Sequence, residues 1–210
     1  PVGPVAAVCI WPRFVEISSK MLAGTGIKVA TVVNFPCGGT DAAKAADETK
    51  EAISRGAAEI DVVLPYRAFM TGDESTARTV LTECKKACAD KARLKVILES
   101  GSFDDPIKLS EASHLALDAG ADFLKTSTGK AGTGATLEAA RIMMTAIKNS
   151  GVKCGFKASG GVRDSLAAAR FLALAEAIMG KGWATPDTFR FGASGLLDTL
   201  LSDLGMSQPQ

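Results

Sequence analysis

Seven apolar, β-branched runs recur along this chain at nearly even intervals, and a stretch of helical period follows each one. They are Val5–Pro12, Lys28–Pro36, Glu59–Pro65, Leu94–Glu99, Phe123–Thr128, Gly155–Ala158 and Phe189–Ala193, with starts separated by 23, 31, 35, 29, 32 and 34 residues. That spacing is the size of one strand, one helix and their two connections. Helical period is clearest over 41–55, 73–91 and 137–148. Asp41, Asp73 and Asp164 stand where a carboxylate accepts from the orphan N–H groups of a first turn, and Gly56, Gly120 and Gly151 stand where helices stop. The units share no internal sequence repeat, so they do not form a solenoid. Strict alternation of β and α predicts an α/β fold, a parallel sheet covered by helices.

Two closures satisfy such a pattern, an open doubly wound sheet and a (β/α)8 barrel of the TIM type. An open sheet concentrates its ligand motif in the first βα turn, yet no G-x-G-x-x-G and no Walker motif follows the first run. Polar residues cluster instead at the C-terminal ends of many runs, where barrels place their sites. The barrel is therefore the expected fold, as one domain over 1–210. Only seven βα units are visible and the fold needs eight. The opening Pro1-Val2-Gly3-Pro4 reads as a loop entering a strand, so one unit is expected to be missing from the N-terminal side, through truncation, processing or an incomplete record.

Composition narrows the function classes. A net charge of +1 supplies no general attraction for nucleic acid or an anionic membrane, and 6% aromatic residues are too few for a base-stacking surface. No apolar run approaches the ~20 residues of a membrane span. Five cysteines at irregular spacing (Cys9, Cys37, Cys84, Cys88, Cys154) read as free thiols in a reducing cytoplasm rather than as disulfides or a zinc site. The single histidine, His114, lies in a helical stretch and reads as an ordinary helix residue, so a histidine triad or metal cluster is not expected.

Two lysines interrupt strand-like runs: Lys125 in Phe123-Leu124-Lys125-Thr126-Ser127-Thr128-Gly129-Lys130 and Lys157 in Gly155-Phe156-Lys157-Ala158-Ser159-Gly160-Gly161. Strand alternation puts both, with Asp61 of Glu59-Ile60-Asp61-Val62-Val63, on the face opposite the apolar set, hence toward the barrel interior. Lysine is almost never buried without compensation. At its ordinary pKa about one lysine in 2,500 is neutral at pH 7, and a pKa near ~7 makes half of them nucleophilic. Burial and a nearby ammonium are the two means of reaching that state, and together they point to Schiff-base chemistry. Asp61 would move protons or serve as a counter-ion, and these roles are compatible. The plain alternative is that each lysine simply pairs with a carboxylate.

Glycine clusters follow the late strands: Gly129-Lys130, Gly160-Gly161-Val162-Arg163 and Gly192-Ala193-Ser194-Gly195. Loops after the last strands of a barrel often cradle a phosphate with backbone N–H groups. Turn glycines alone would explain any single cluster. Cys9, near the mouth end of its strand, is open to attack by aldehydes. Glu99 faces the same way as Lys95 and is a candidate for a polar network.

These motifs resemble deoxyribose-phosphate aldolase, a class I aldolase family. The 123–130 run matches its Schiff-base strand and Lys157 with Ser159-Gly160-Gly161-Val162-Arg163 its second-lysine strand. Asp61-Val62-Val63 and Phe191-Gly192-Ala193-Ser194 match its aspartate and last strands, and Cys9-Ile10-Trp11-Pro12-Arg13 and Asn34-Phe35-Pro36 also fit. The resemblance implies reversible cleavage of 2-deoxyribose 5-phosphate to acetaldehyde and glyceraldehyde 3-phosphate. It implies Lys125 as the imine lysine and Lys157 and Asp61 as its proton partners. Gly129, Lys130, Gly160, Gly161, Gly192 and Ser194 would bind the phosphate, with no metal or organic cofactor. Phosphosugar and aldehyde substrates follow from the same likeness, a homodimer is expected because exposed barrel helices often pair, and the thiols and charge point to a cytoplasmic protein with no nucleic-acid or membrane partner. Three departures stand out: the first βα unit, with its acidic residue, has no counterpart, Gly195 replaces a serine found in some members, and the chain ends in Met206-Ser207-Gln208-Pro209-Gln210 where some members end in tyrosine. The competing readings are another class I phosphosugar aldolase or transaldolase, which would take a ketose donor, and a phosphosugar-binding barrel without catalysis.

Overall fold

A computed structural model describes residues 3–205, and Met206–Gln210, the tail singled out above, lie outside the described residues. Strands β1 (Ala7–Ile10), β2 (Lys28–Val33), β3 (Glu59–Val63), β4 (Arg93–Ile97), β5 (Phe123–Lys125), β6 (Gly155–Ser159) and β7 (Phe189–Gly192) form one sheet in the order of the chain. Every neighbouring pair is parallel. Helices lie between and after them: α1 (Val15–Met21), α2 (Ala42–Ser54), α3 (Tyr66–Met70), α4 (Glu74–Cys88), α5 (Pro106–Asp118), α6 (Leu137–Ser150), α7 (Ser165–Met179) and α8 (Gly195–Asp203). This is the (β/α) barrel architecture in seven units. Among the described residues β1 and β7 are not paired with each other, so the curled sheet keeps two edges.

The sequence dictates the layers. Ile60, Val62, Leu94, Val96, Leu124, Phe156 and Ala158 are fully buried in the core between sheet and helices. Against them the helices turn small and aliphatic faces: Ala77, Val80 and Leu81 of α4, Ala112 and Ala116 of α5, Ala140, Met143 and Met144 of α6. The caps form where expected. Asp41, Asp73 and Asp164 accept from the backbone N–H groups of Lys44, Thr76 and Ala167, and Gly151 closes α6 in the left-handed region at φ 68°.

Two local details differ from the sequence expectation. A short helix, α3, fills the connection after β3, anchored by buried Tyr66 and Phe69. Strand β5 also ends at Lys125 rather than Thr128. Beyond it the Thr126 N–H still donates to the Lys157 carbonyl (3.1 Å), and side chains then take over: Thr126 Oγ1 donates to the Ser159 carbonyl (3.0 Å), accepts from the Ser159 N–H (3.0 Å), and Ser159 Oγ donates to the Ser127 carbonyl (2.5 Å). Hydroxyls thus hold β5 to β6 at the rim while freeing the backbone to turn.

Candidate active site

On the face opposite the apolar core, the strands carry charge. Lys125 and Lys157 lie side by side in the β5–β6 register, and both are buried. Their Nζ atoms lie 2.7 Å and 2.8 Å from one oxygen, Asp61 Oδ2. Asp61 is wholly inaccessible, and its second oxygen, Oδ1, accepts from Lys95 Nζ at 2.6 Å. Cys9 Sγ reaches Asp61 Oδ2 from β1 at 3.9 Å. Three ammonium groups therefore share one carboxylate, one more than the sequence assigns to it.

The three groups do not titrate alike. Burial pushes the Asp61 carboxyl up, but Lys125, Lys157 and Lys95 together hold it well below the usual carboxylate range. Lys125 is pushed down, chiefly by burial; Asp61 opposes the shift and Lys157 adds to it. Lys157 moves the other way, because Asp61, Cys9 and Glu59 outweigh its burial. Two amines on one oxygen are thereby differentiated: Lys125 is the readier to be neutral and Lys157 to stay charged. Of the remaining cysteines, Cys37 is exposed, whereas Cys84, Cys88 and Cys154 are buried and desolvation pushes their thiols up to about 11, 12 and 12. His114 lies exposed on α5.

A cavity of about 1320 Å³ opens between the edges β1 and β7 and rises to the C-terminal rim of the strands. Lys125 and Lys157 line its interior, and Gly129, Lys130, Gly160, Gly161, Gly192 and Ser194 all line its upper part. Asp61 lies beneath the two lysines. Gly192 is required by close approach: a Cβ there would sit 2.7 Å from Ser159 Cβ and 3.0 Å from Lys157 Cε. Gly160, at φ 82°, packs against Gly134 of the preceding rim loop. Helix α8 begins at Gly195, and Ser194 at its N-cap makes no side-chain capping bond. Lys130 Nζ lies 5.8 Å above the Trp11 ring. Glu99 holds the rim loop from below: its backbone is left-handed (φ 55°), its side chain is buried, and both carboxylate oxygens lie 3.3 Å from the Thr128 N–H.

Lys95, Glu59 and Arg190 complete the buried charge and were not singled out as site residues from the sequence. Lys95 could have been found, since it alternates with apolar neighbours in Leu94-Lys95-Val96 as Asp61 does in β3. Arg190 carries the same signal between Phe189 and Phe191, but weakly, because its strand is short and only partly buried.

A parallel βα barrel sheet with buried amines at its centre and glycine loops at its C-terminal rim is the build of an enzyme acting on a small carbonyl compound. The chain belongs to the DeoC/LacD family of aldolases, whose family model matches residues 3–201. Solved structures agree. A candidate deoxyribose-phosphate aldolase from Toxoplasma gondii is 30% identical, with a TM-score of 0.84 over 95% of this chain and 80% of its own. One from Coccidioides immitis is 27% identical, with a TM-score of 0.83 over 95% of this chain and 73% of its own. The deoxyribose phosphate aldolase of Aeropyrum pernix, described as a tetramer, shares the fold at 24% identity and a TM-score of 0.75, over 94% of this chain and 76% of its own. No helix among the described residues is long and apolar enough to cross a membrane.

Proposed function

We propose that this aldolase cleaves 2-deoxyribose 5-phosphate reversibly to acetaldehyde and glyceraldehyde 3-phosphate through an imine on Lys125. The observation that carries the reading is the pair of lysines on one buried carboxylate oxygen, with the amine of Lys125 pushed down and that of Lys157 held up. Neutral Lys125 Nζ attacks C1 of the open-chain aldehyde, and the carbinolamine loses water to give the protonated imine. The Asp61–Lys157 relay takes the C3 hydroxyl proton and returns it at the enamine step, and loss of that proton breaks the C2–C3 bond. Glyceraldehyde 3-phosphate leaves, and the bond's electron pair passes into the enamine. Protonation of the enamine at C2 and hydrolysis return acetaldehyde and free Lys125. Lys157, charged and 2.8 Å from Asp61, is the proton donor of this scheme, and Asp61 is the relay between the two amines.

The phosphate is assigned to the upper cavity. Gly129, Gly160, Gly161 and Gly192 let backbone N–H groups approach, Ser194 and the start of α8 add a hydroxyl and a positive helix end, and Lys130 adds charge. The substrate named for the Toxoplasma and Coccidioides relatives supports the choice of sugar. A cytoplasmic location and a homodimer belong to the same reading. It is supported by the five unbridged thiols and by Phe14, Ile17 and Met21, which are exposed together along α1 and the turn that precedes it.

Borohydride reduction in the presence of acetaldehyde tests the reading. A mass increase of about 28 Da that maps to Lys125 is expected, since reduction freezes the imine as a secondary amine. An adduct on Lys157 alone, or none, would overturn it. A protein that binds inorganic phosphate yet forms no adduct would favour the non-catalytic barrel.

A further inference from the structure

The barrel interior buries more charge than imine chemistry requires. Lys95 and Glu59 are 1% and 2% exposed, and Arg190 stands at their margin. With Asp61 they form a ladder of alternating sign. Lys125 and Lys157 hold Asp61 Oδ2, Asp61 Oδ1 holds Lys95 at 2.6 Å, and Lys95 lies 2.8 Å from Glu59 Oε2. Glu59 Oε1 then receives Arg190 Nη2 at 3.1 Å. Arg190 is fixed from behind, its Nε donating to the Pro186 carbonyl and its guanidinium 5.6 Å from the Phe123 ring centroid. Glu59 and Arg190 also line a second cavity, of about 420 Å³, at the N-terminal ends of the strands. The ladder therefore runs the height of the barrel, from substrate lysines to floor.

Such an arrangement is a poor source of stability, since each buried ion forfeits several kcal/mol of hydration that pairing only partly returns. Its effect is on charge. With Lys125 neutral, Lys95, Lys157 and Arg190 face Glu59 and Asp61, a net of +1; protonating Lys125 raises this to +2 among side chains that are almost wholly buried and so only weakly screened. We propose that the Glu59–Arg190 pair is a positioning element that, through Lys95, fixes the charge and orientation of Asp61 and so sets how readily Lys125 gives up its proton. The proposal rests on the imine reading for its catalytic meaning.

The groups that face Lys125 are Cys9 from β1, Glu59 and Asp61 from β3, Lys95 from β4, Lys157 from β6 and Arg190 from β7. Ala30 and Val32 of β2 stand level with Glu59 and Asp61 and carry no charge. Glu99, Lys130 and Arg163 lie at the rim, and Lys28 and the pairs Arg93–Asp187 and Lys85–Asp122 lie at the floor. The two ends of the floor pair must then act with opposite sign. Glu59→Gln removes a negative charge and makes the Lys125 ammonium less favourable. Arg190→Met removes a positive one and makes it more favourable.

Competitive acetylation with trace acetic anhydride across the neutral and alkaline range, mapped to Lys125 by mass spectrometry, reads this directly. The labelling midpoint of Lys125 should fall by about one pH unit in Glu59→Gln and rise by about one in Arg190→Met, the size expected of a single poorly screened charge. Arg190→Lys should restore the wild-type midpoint. Lys95→Met should move it in the same direction as Arg190→Met, and replaces that variant if it fails to fold. Shifts of the same sign in both floor variants, or none in either, would overturn the proposal, because a merely structural pair would lower yield or rate without separating in sign. Acetylation reports the amine whether or not sugar is turned over. Failure of borohydride trapping in the wild type, with the opposite shifts intact, would therefore sink the imine and leave the ladder standing.

Discussion

Alternate residues of the same strands face two different environments. Along β3, Ile60 and Val62 are buried against the helices, while Glu59 and Asp61 are buried among lysines; along β5 and β6, Leu124 and Phe156 take the first role and Lys125 and Lys157 the second. Both faces are buried, but only the inner one borders an open cavity, and they do different things. The outer face gains free energy from every methyl it removes from water. The inner face holds charges that hydration would stabilise better and keeps them only because each has a counter-charge within 3 Å. Stability and reactivity are thus separated by half a pleat rather than by distance.

That separation can be broken from the inside first. Lys125→Ala should lower turnover by roughly 10^4-fold or more, as loss of a covalent nucleophile does. Asp61 keeps Lys95 and Lys157 as partners in that variant, so its thermal unfolding should stay close to wild type; a large loss of stability would show that the faces are coupled. Asp61→Asn should cost both activity and about 3–5 kcal/mol, because three ammonium groups lose their only shared charge. Denaturant unfolding beside an acetaldehyde-trapping assay measures the two losses together.

From the outside, Leu124→Ala should cost about 2–5 kcal/mol through a cavity against the helices, with kcat and KM per folded molecule unchanged. Altered kcat would mean that the core face tunes the lysine beside it. Gly192→Ala tests the seam between the faces. Its Cβ would press on Ser159 and Lys157 Cε, so kcat should fall by about tenfold or more and stability by about 1–3 kcal/mol. The smallest effect is one of pH. Asp61 titrates well below its ordinary value of 3.8, so the stability it contributes is fully present above 3.8 and drains away as pH falls further, through its folded value. Acid unfolding of Asp61→Asn should lack that component, and an unchanged acid limb would remove Asp61 from the account.

Period, caps and punctuation made the fold legible: all seven strands and the three capping aspartates stand where pattern places them, because each is decided by neighbours a few residues away. The core of the site was legible for a related reason. A charge inside an apolar strand has one face available to it, so Asp61, Lys125 and Lys157 could be assigned to the interior without knowing the closure. What the sequence leaves out is partnership across strands. Glu59 meets Arg190 across 131 residues of chain, and although Phe189 and Phe191 flank that arginine, nothing local names its partner. The early end of β5 was hidden likewise, since it depends on hydroxyls of Thr126 and Ser159 that meet only once β6 is in place.

The side-by-side register of Lys125 and Lys157 makes the site a checksum on assembly. Were β6 to slide by one residue, Phe156 would enter the charged interior and Lys157 would be driven into the greasy layer beneath the helices. Asp61 would be left with a mismatched set of neighbours, and the misaligned chain would lose both its apolar burial and its charge balance at once. A parallel sheet has few ways to detect such an error, since its hydrogen bonds repeat evenly at every step. Here the residues proposed to do the chemistry are also the ones that make the wrong alignment expensive, so a chain that has folded into register has, by the same act, armed itself.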